Sequence, residues 1–187
     1  MALYAIINAD DKSHTYLFHH TMPPATYQFT YLALFQDILL GVAGMIVVLI
    51  FHGISINTAL MRFERMTAAN LTNKDYRWVF IHFYGSFSLI ALIHIAEVLI
   101  WAALIYQLNL LHTAIDAILF AGSCYTTLGF VEDVLPNGYK TLAFFISFSG
   151  LFSLAWTTSI MISMTNTYRE TWKLRRQLYE SKKESNS

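Results

Sequence analysis

Cysteine is nearly missing. Cys124 is the only one in 187 residues, so no disulfide can form within one chain. Charge is scarce too. Asp, Glu, Lys and Arg make up 13% of the residues, where an ordinary soluble domain carries about 25%. Neither sign is in excess, because 12 basic and 12 acidic residues cancel to a formal +0. A nucleic-acid partner is excluded, since no basic excess exists to displace counterions. No internal repeat, low-complexity tract, Walker, CxxC or Ser–His–Asp pattern is present. No basic segment precedes an early apolar run, so no targeting peptide is expected. What is abundant is apolar surface, 56% of the residues. That excludes disorder and leaves too little charge to cover a soluble domain of this size. The composition fits an integral membrane protein.

A spanning helix needs about 20 mostly apolar residues. Three runs qualify: Ile38 to Ile56, Trp78 to Leu104 and Leu142 to Met164. A shorter apolar stretch, Ala117 to Cys124, lies between the second and third. It is too short to cross and reads as re-entrant or interfacial. The basic residues give an orientation. Arg62, Arg65, Lys74 and Arg77 follow the first run, and Arg169, Lys173, Arg175, Arg176, Lys182 and Lys183 follow the third. These are ten of the twelve basic residues. Three spans put both groups on one side, the cytoplasm by the positive-inside rule, with the N-terminus outside. The expected organisation is an extracytoplasmic or interfacial segment over 1–34 and an extra transmembrane helix over 35–60. A cytoplasmic basic loop over 61–77, a pore domain over 78–165 and a charged cytoplasmic tail over 166–187 follow. The expected location is the cell (inner) membrane.

A short helix is predicted from about Thr113 to Thr126. Asp116 sits in its first turn, where a carboxylate favours the helix N-terminus. Its opposite end would point partial negative charge into the membrane, where a cation can rest. The chain continues Thr126-Thr127-Leu128-Gly129-Phe130-Val131-Glu132-Asp133-Val134-Leu135-Pro136.

This run resembles the filter of pore-loop cation channels. Potassium channels carry TTVGYGD, then two apolar residues and Pro. The matching residues are Thr126, Thr127, Leu128, Gly129 and Phe130, then Asp133-Val134-Leu135-Pro136. The stretch from about His94 to Trp172 is similar to a bacterial branch of two-helix channels related to two-pore-domain potassium channels. His94 to Trp101, Cys124 to Phe130 and Leu154 to Thr157 carry that likeness. The implied fold class is an all-α membrane protein with three transmembrane helices per chain. A re-entrant pore helix and filter lie between helices 2 and 3. One chain offers one loop, so four chains must surround the axis, as a homotetramer. Rings of backbone carbonyls, with the Thr127 hydroxyl adding a layer, would replace the ion's hydration shell. The implied filter is Thr126, Thr127, Leu128, Gly129, Phe130 and Val131. The implied function is passage of monovalent cations, chiefly potassium, with no resident cofactor and no catalysis. The implied partners are further copies of the chain, the lipid bilayer and cations.

The run also departs from that pattern. Its second glycine is replaced by Val131-Glu132, and one extra residue separates Gly129 from Pro136. A β-branched residue resists positive φ, so the outermost carbonyl layer is either remodelled or missing. Weakened potassium selectivity is expected. Glu132 and Asp133 would ring the outer mouth with carboxylates and concentrate cations there.

Ionisable groups inside a membrane are costly and point to function. His94 and Glu97 share one helix face and form a candidate intramembrane polar pair. A plain structural contact and a proton-sensing or metal-binding role both remain open. His52 and His82 are metal candidates toward the cytoplasmic ends of their spans. Gly150 is a candidate gating hinge, with helix packing the alternative. A stripe of Ser147, Gly150, Leu154, Thr157 or Thr158 and Met161 is a candidate pore lining. Two competing functions stand beside the channel. One is a membrane metal- or haem-binding enzyme using His52, His82, His94, Glu97 and His112. The other is a non-conducting adaptor subunit.

Overall fold

The computed structural model describes residues 31–73, 76–129, 135–136 and 139–185. Four helices occupy them: α1 (Tyr31–Thr72), α2 (Tyr76–Gln107), α3 (Ala114–Tyr125) and α4 (Leu142–Ser185). No strand occurs among the described residues. Three of the helices, α1, α2 and α4, are long and apolar enough to cross a membrane. α3, at 12 residues, spans only about 18 Å at 1.5 Å per residue.

The long helices outrun the apolar runs that predict them. α1 has 42 residues and α4 has 44, each roughly twice what the hydrocarbon layer requires. Arg62 and Arg65, expected in a loop, therefore lie on α1. The reason is local. From Ile54 to Thr72 there is no Gly or Pro, and Ala, Leu, Met, Glu and Arg recur, all strong helix formers. The charged tail is likewise continuous with α4 up to Ser185.

α1 and α2 form an antiparallel hairpin, with α1 ending at Thr72 and α2 starting at Tyr76. This sets His52 level with Glu97, because the two lie about equally far from those ends. α3 packs on α2 and α4, and α1 packs on the same two helices.

Two apolar cores result. One surrounds α3, with Val48, Trp101, Ile105, Phe120, Leu142 and Ile146 buried together. The other joins Ile56, Phe63, Phe83 and Met164. Tyr168 stacks on Phe83 at 4.4 Å between ring centroids, and Trp172 meets Phe80 edge-on at 5.3 Å.

Glycines let α1 press into its neighbours. A Cβ at Gly44 would come within 2.6 Å of the Trp101 ring, and one at Gly53 within 2.9 Å of Trp156. A Cβ at Gly41 would overlap the Phe145 ring outright. Asp37, only 2% exposed, adds a polar tie, as its Oδ2 accepts the Thr141 N–H at 2.9 Å. That amide opens α4, where a carboxylate also complements the helix dipole. α1 is thus fastened to both α2 and α4 along much of its length.

Candidate pore segment and a buried histidine–glutamate network

α3 has a defined start. Thr113 is the N-cap, and its Oγ1 accepts the Asp116 N–H at 3.1 Å. The same hydroxyl donates to Asp116 Oδ2 at 2.6 Å. This is a side-chain N-cap reinforced by a hydroxyl–carboxylate bond, and it bounds the helix within a residue of the predicted range. Ala117, Phe120, Ala121, Cys124 and Tyr125 face inward.

The far end of α3 is pinned to α4. Ser147 Oγ donates to the Cys124 carbonyl at 2.8 Å. Gly150 lies directly beneath the Tyr125 carbonyl, where any Cβ would overlap the oxygen. Gly150 therefore supplies a close helix approach. Gly150 and Thr157, two members of the expected lining stripe, are buried within the chain. Leu151, Leu154 and Thr158, on the adjoining flank of α4, are exposed.

Past Tyr125 the backbone reverses hand. Thr127 has φ +59° and Gly129 has φ +83°. The Thr127 N–H bonds Cys124 O and the Leu128 N–H bonds Ser123 O, each at 3.0 Å. That is a Schellman ending with a threonine where glycine is usual. α2 ends in the same motif with Asn109 at φ 54°, which Asn tolerates. There the next residue, Leu110, is buried in the core with Ile105. After α3 the equivalent Leu128 is 83% exposed. A β-branched residue in the left-handed region is costly and marks a place where backbone strain is retained. Thr126, Thr127, Leu128 and Gly129 are all exposed. Phe130, Val131, Glu132 and Asp133 lie outside the described residues. The chain returns to the core at Leu135.

Below this segment runs a buried polar network. Glu97 is fully buried and accepts two short hydrogen bonds: His52 Nδ1 lies 2.6 Å from Oε1, and the Tyr125 hydroxyl donates to Oε2 at 2.6 Å. His94 Nδ1 meets the Tyr125 hydroxyl at 2.8 Å, and its Nε2 meets Thr157 Oγ1 at 3.0 Å. His94 and Glu97 share a face as the i,i+3 spacing predicts, but Nδ1 stands 4.0 Å from Oε2. Tyr125 mediates between them. All four elements contribute: His52 from α1, His94 and Glu97 from α2, Tyr125 from α3, and Thr157 from α4.

Residues 93–166 match the family model described as an ion channel. That stretch is therefore similar to an ion-channel domain. No curated protein and no solved structure matches the chain. The domain takes in the second half of α2, all of α3, the exposed Thr126–Gly129 run and the first half of α4. With three helices fit to cross a bilayer, this is a multi-pass membrane protein. His94, Glu97, Tyr125 and Thr157 lie inside the domain, while His52 lies outside it, on α1.

The metal candidates regroup. His52 meets Glu97 and His94, not His82. His82 lies beside Trp78 with ring centroids 6.2 Å apart. It precedes His94 by 12 residues, about 18 Å along the helix. His112 is exposed on the link before α3. The five residues of the enzyme alternative are thus not gathered into one site.

Tyr125 and Thr157 were not singled out from the sequence as network members. One signal for His52 is present: a hairpin of α1, ending at Thr72, and α2, starting at Tyr76, aligns it with Glu97.

Proposed function

We propose that the chain is one subunit of a homotetrameric cation channel in the cell membrane. Thr126, Thr127, Leu128, Gly129, Phe130 and Val131 form its filter, and Glu132 and Asp133 its outer mouth. α3 is the re-entrant pore helix, entering from the outside, with the N-terminus outside and the C-terminus cytoplasmic. The single observation that carries this reading is the placement of the filter-like run within the matched ion-channel domain. It follows a short apolar helix held between α2 and α4.

Two features support it. The sign of φ alternates over residues 127–129, positive, negative, positive. Successive carbonyls need such an alternation to face the same way, as a ring of cation-coordinating oxygens demands. The exposed Leu128 also gains cover when four such segments meet around an axis. The C-terminal end of α3 then aims its dipole at the ion path. The exposed face of α4, with Leu151, Leu154 and Thr158, would line the inner pore.

The permeant ions are monovalent cations, with potassium favoured by the filter likeness. Loss of the second filter glycine weakens its preference over sodium. The purified chain in liposomes should pass potassium, and cross-linking should report four chains. Bi-ionic reversal potentials should show a modest potassium-over-sodium ratio. No flux from well-folded tetramers would favour a non-conducting subunit, and a monomer or dimer would refute the pore geometry.

A further inference from the structure

We propose that His52, His94 and Glu97 form a binding site for a divalent transition-metal ion of the zinc class. One ligand atom from each lies within 4.8 Å of the others. The set joins α1, outside the ion-channel domain, to α2 inside it. It is independent of whether the chain conducts ions.

The donor chemistry selects the metal class. Two imidazoles and one carboxylate suit zinc and its neighbours, whereas calcium and magnesium take all-oxygen shells. Three protein ligands leave a fourth position open, as in sites that hold a water. A tetrahedral site with metal–donor bonds near 2.0–2.1 Å sets its donors about 3.4 Å apart. Reaching that spacing through Nδ1 parts His52 from Glu97, now 2.6 Å apart, and draws in His94, by side-chain movements on the order of 1 Å.

The surroundings already orient the ligands. Thr157 Oγ1 holds His94 Nε2, which leaves Nδ1 on the Tyr125 hydroxyl at 2.8 Å and 4.0 Å from Glu97 Oε2. The Tyr125 hydroxyl holds Glu97 Oε2. Such outer contacts fix ring tautomer and carboxylate direction around a bound metal.

A second observation points the same way. His52 is fully buried, yet its Nε2 has no hydrogen-bond partner. A buried unmet nitrogen is costly, and a metal taken instead through His52 Nε2, with Nδ1 kept on Glu97, would satisfy it. His94 keeps 16% of its side chain exposed, which gives the metal an entry edge.

The full-length chain, stripped with a chelator in detergent, is titrated with zinc chloride by calorimetry. About one zinc ion per chain should bind, and the thermal midpoint should rise with zinc. His52→Gln and Glu97→Gln should each cost at least about tenfold in zinc affinity, and Thr157→Val about tenfold. His82→Ala and His112→Ala should bind as the unmodified chain does. Should the ligand variants fail to fold, cobalt added to the unmodified chain decides the matter. Visible bands of four-coordinate Co2+ with nitrogen ligands support the site. Absence of those bands, absence of zinc binding, or an equal loss in His82→Ala overturns it.

Discussion

His52 of α1 and Glu97 of α2 lie 2.6 Å apart with both side chains fully buried. Glu97 also accepts from Tyr125, the last residue of the short helix that precedes the exposed Thr126–Gly129 run. The contact therefore links a helix outside the ion-channel domain to the support of the candidate filter. In an apolar surround such a pair holds only while each partner is present, since a lone buried charge or donor is left unmet.

Removing either partner should destabilise the chain unequally. Glu97→Ala strands His52 and leaves the Tyr125 hydroxyl with His94 alone, and should cost about 3–5 kcal/mol. His52→Ala leaves Glu97 with the Tyr125 hydroxyl and should cost less. The double variant should fall short of the sum by about 1–3 kcal/mol. Thermal or denaturant unfolding in detergent measures all three, and simple additivity would argue against coupling.

Gly150 has no room for a side chain. Gly150→Ala drives a methyl group into the Tyr125 carbonyl and should cost about 1–3 kcal/mol as an overpacked contact. It should also lower ion flux by shifting the C-terminal end of α3. Gly85 has no neighbour within 4 Å of a built Cβ, so Gly85→Ala should leave both stability and flux unchanged. Paired unfolding and liposome flux assays compare the two.

Thr127 occupies a left-handed backbone. Thr127→Gly should stabilise the chain by up to about 1–2 kcal/mol through relief of that strain. It should at the same time reduce potassium selectivity, because the hydroxyl is lost and the backbone loosened. Gly129→Ala should do the reverse to stability, since Gly129 sits at φ +83°. Unfolding midpoints and reversal potentials read the two effects separately. A Thr127→Gly variant less stable than the parent would contradict the strain argument.

Asp37 holds the first amide of α4. Asp37→Ala leaves the half-buried Thr141 N–H without its partner and should cost about 1–3 kcal/mol. Asp37→Asn keeps an acceptor and should cost less. Faster hydrogen exchange at the Thr141 amide in the Ala variant is the local readout.

The sequence alone determined where the apolar helices and the short capped helix lie. Segment length, hydropathy and the Thr113–Asp116 cap are local properties and survive in any tertiary context. The placement of Thr126 to Gly129 just past the end of that short helix was legible for the same reason. The i,i+3 spacing put His94 and Glu97 on one face without reference to any other element. Tertiary structure decided the rest: that Tyr125 stands between that pair, that His52 rather than His82 completes the group, and that Gly150 and Thr157 turn inward on α4. A helix apolar all round, such as α2, offers no polar face from which its buried side can be told. Only the hairpin register and the close glycine contacts of α1 chose it. The near absence of charge was legible as a membrane signature, but which of the few ionisable side chains meet depended on how four helices pack.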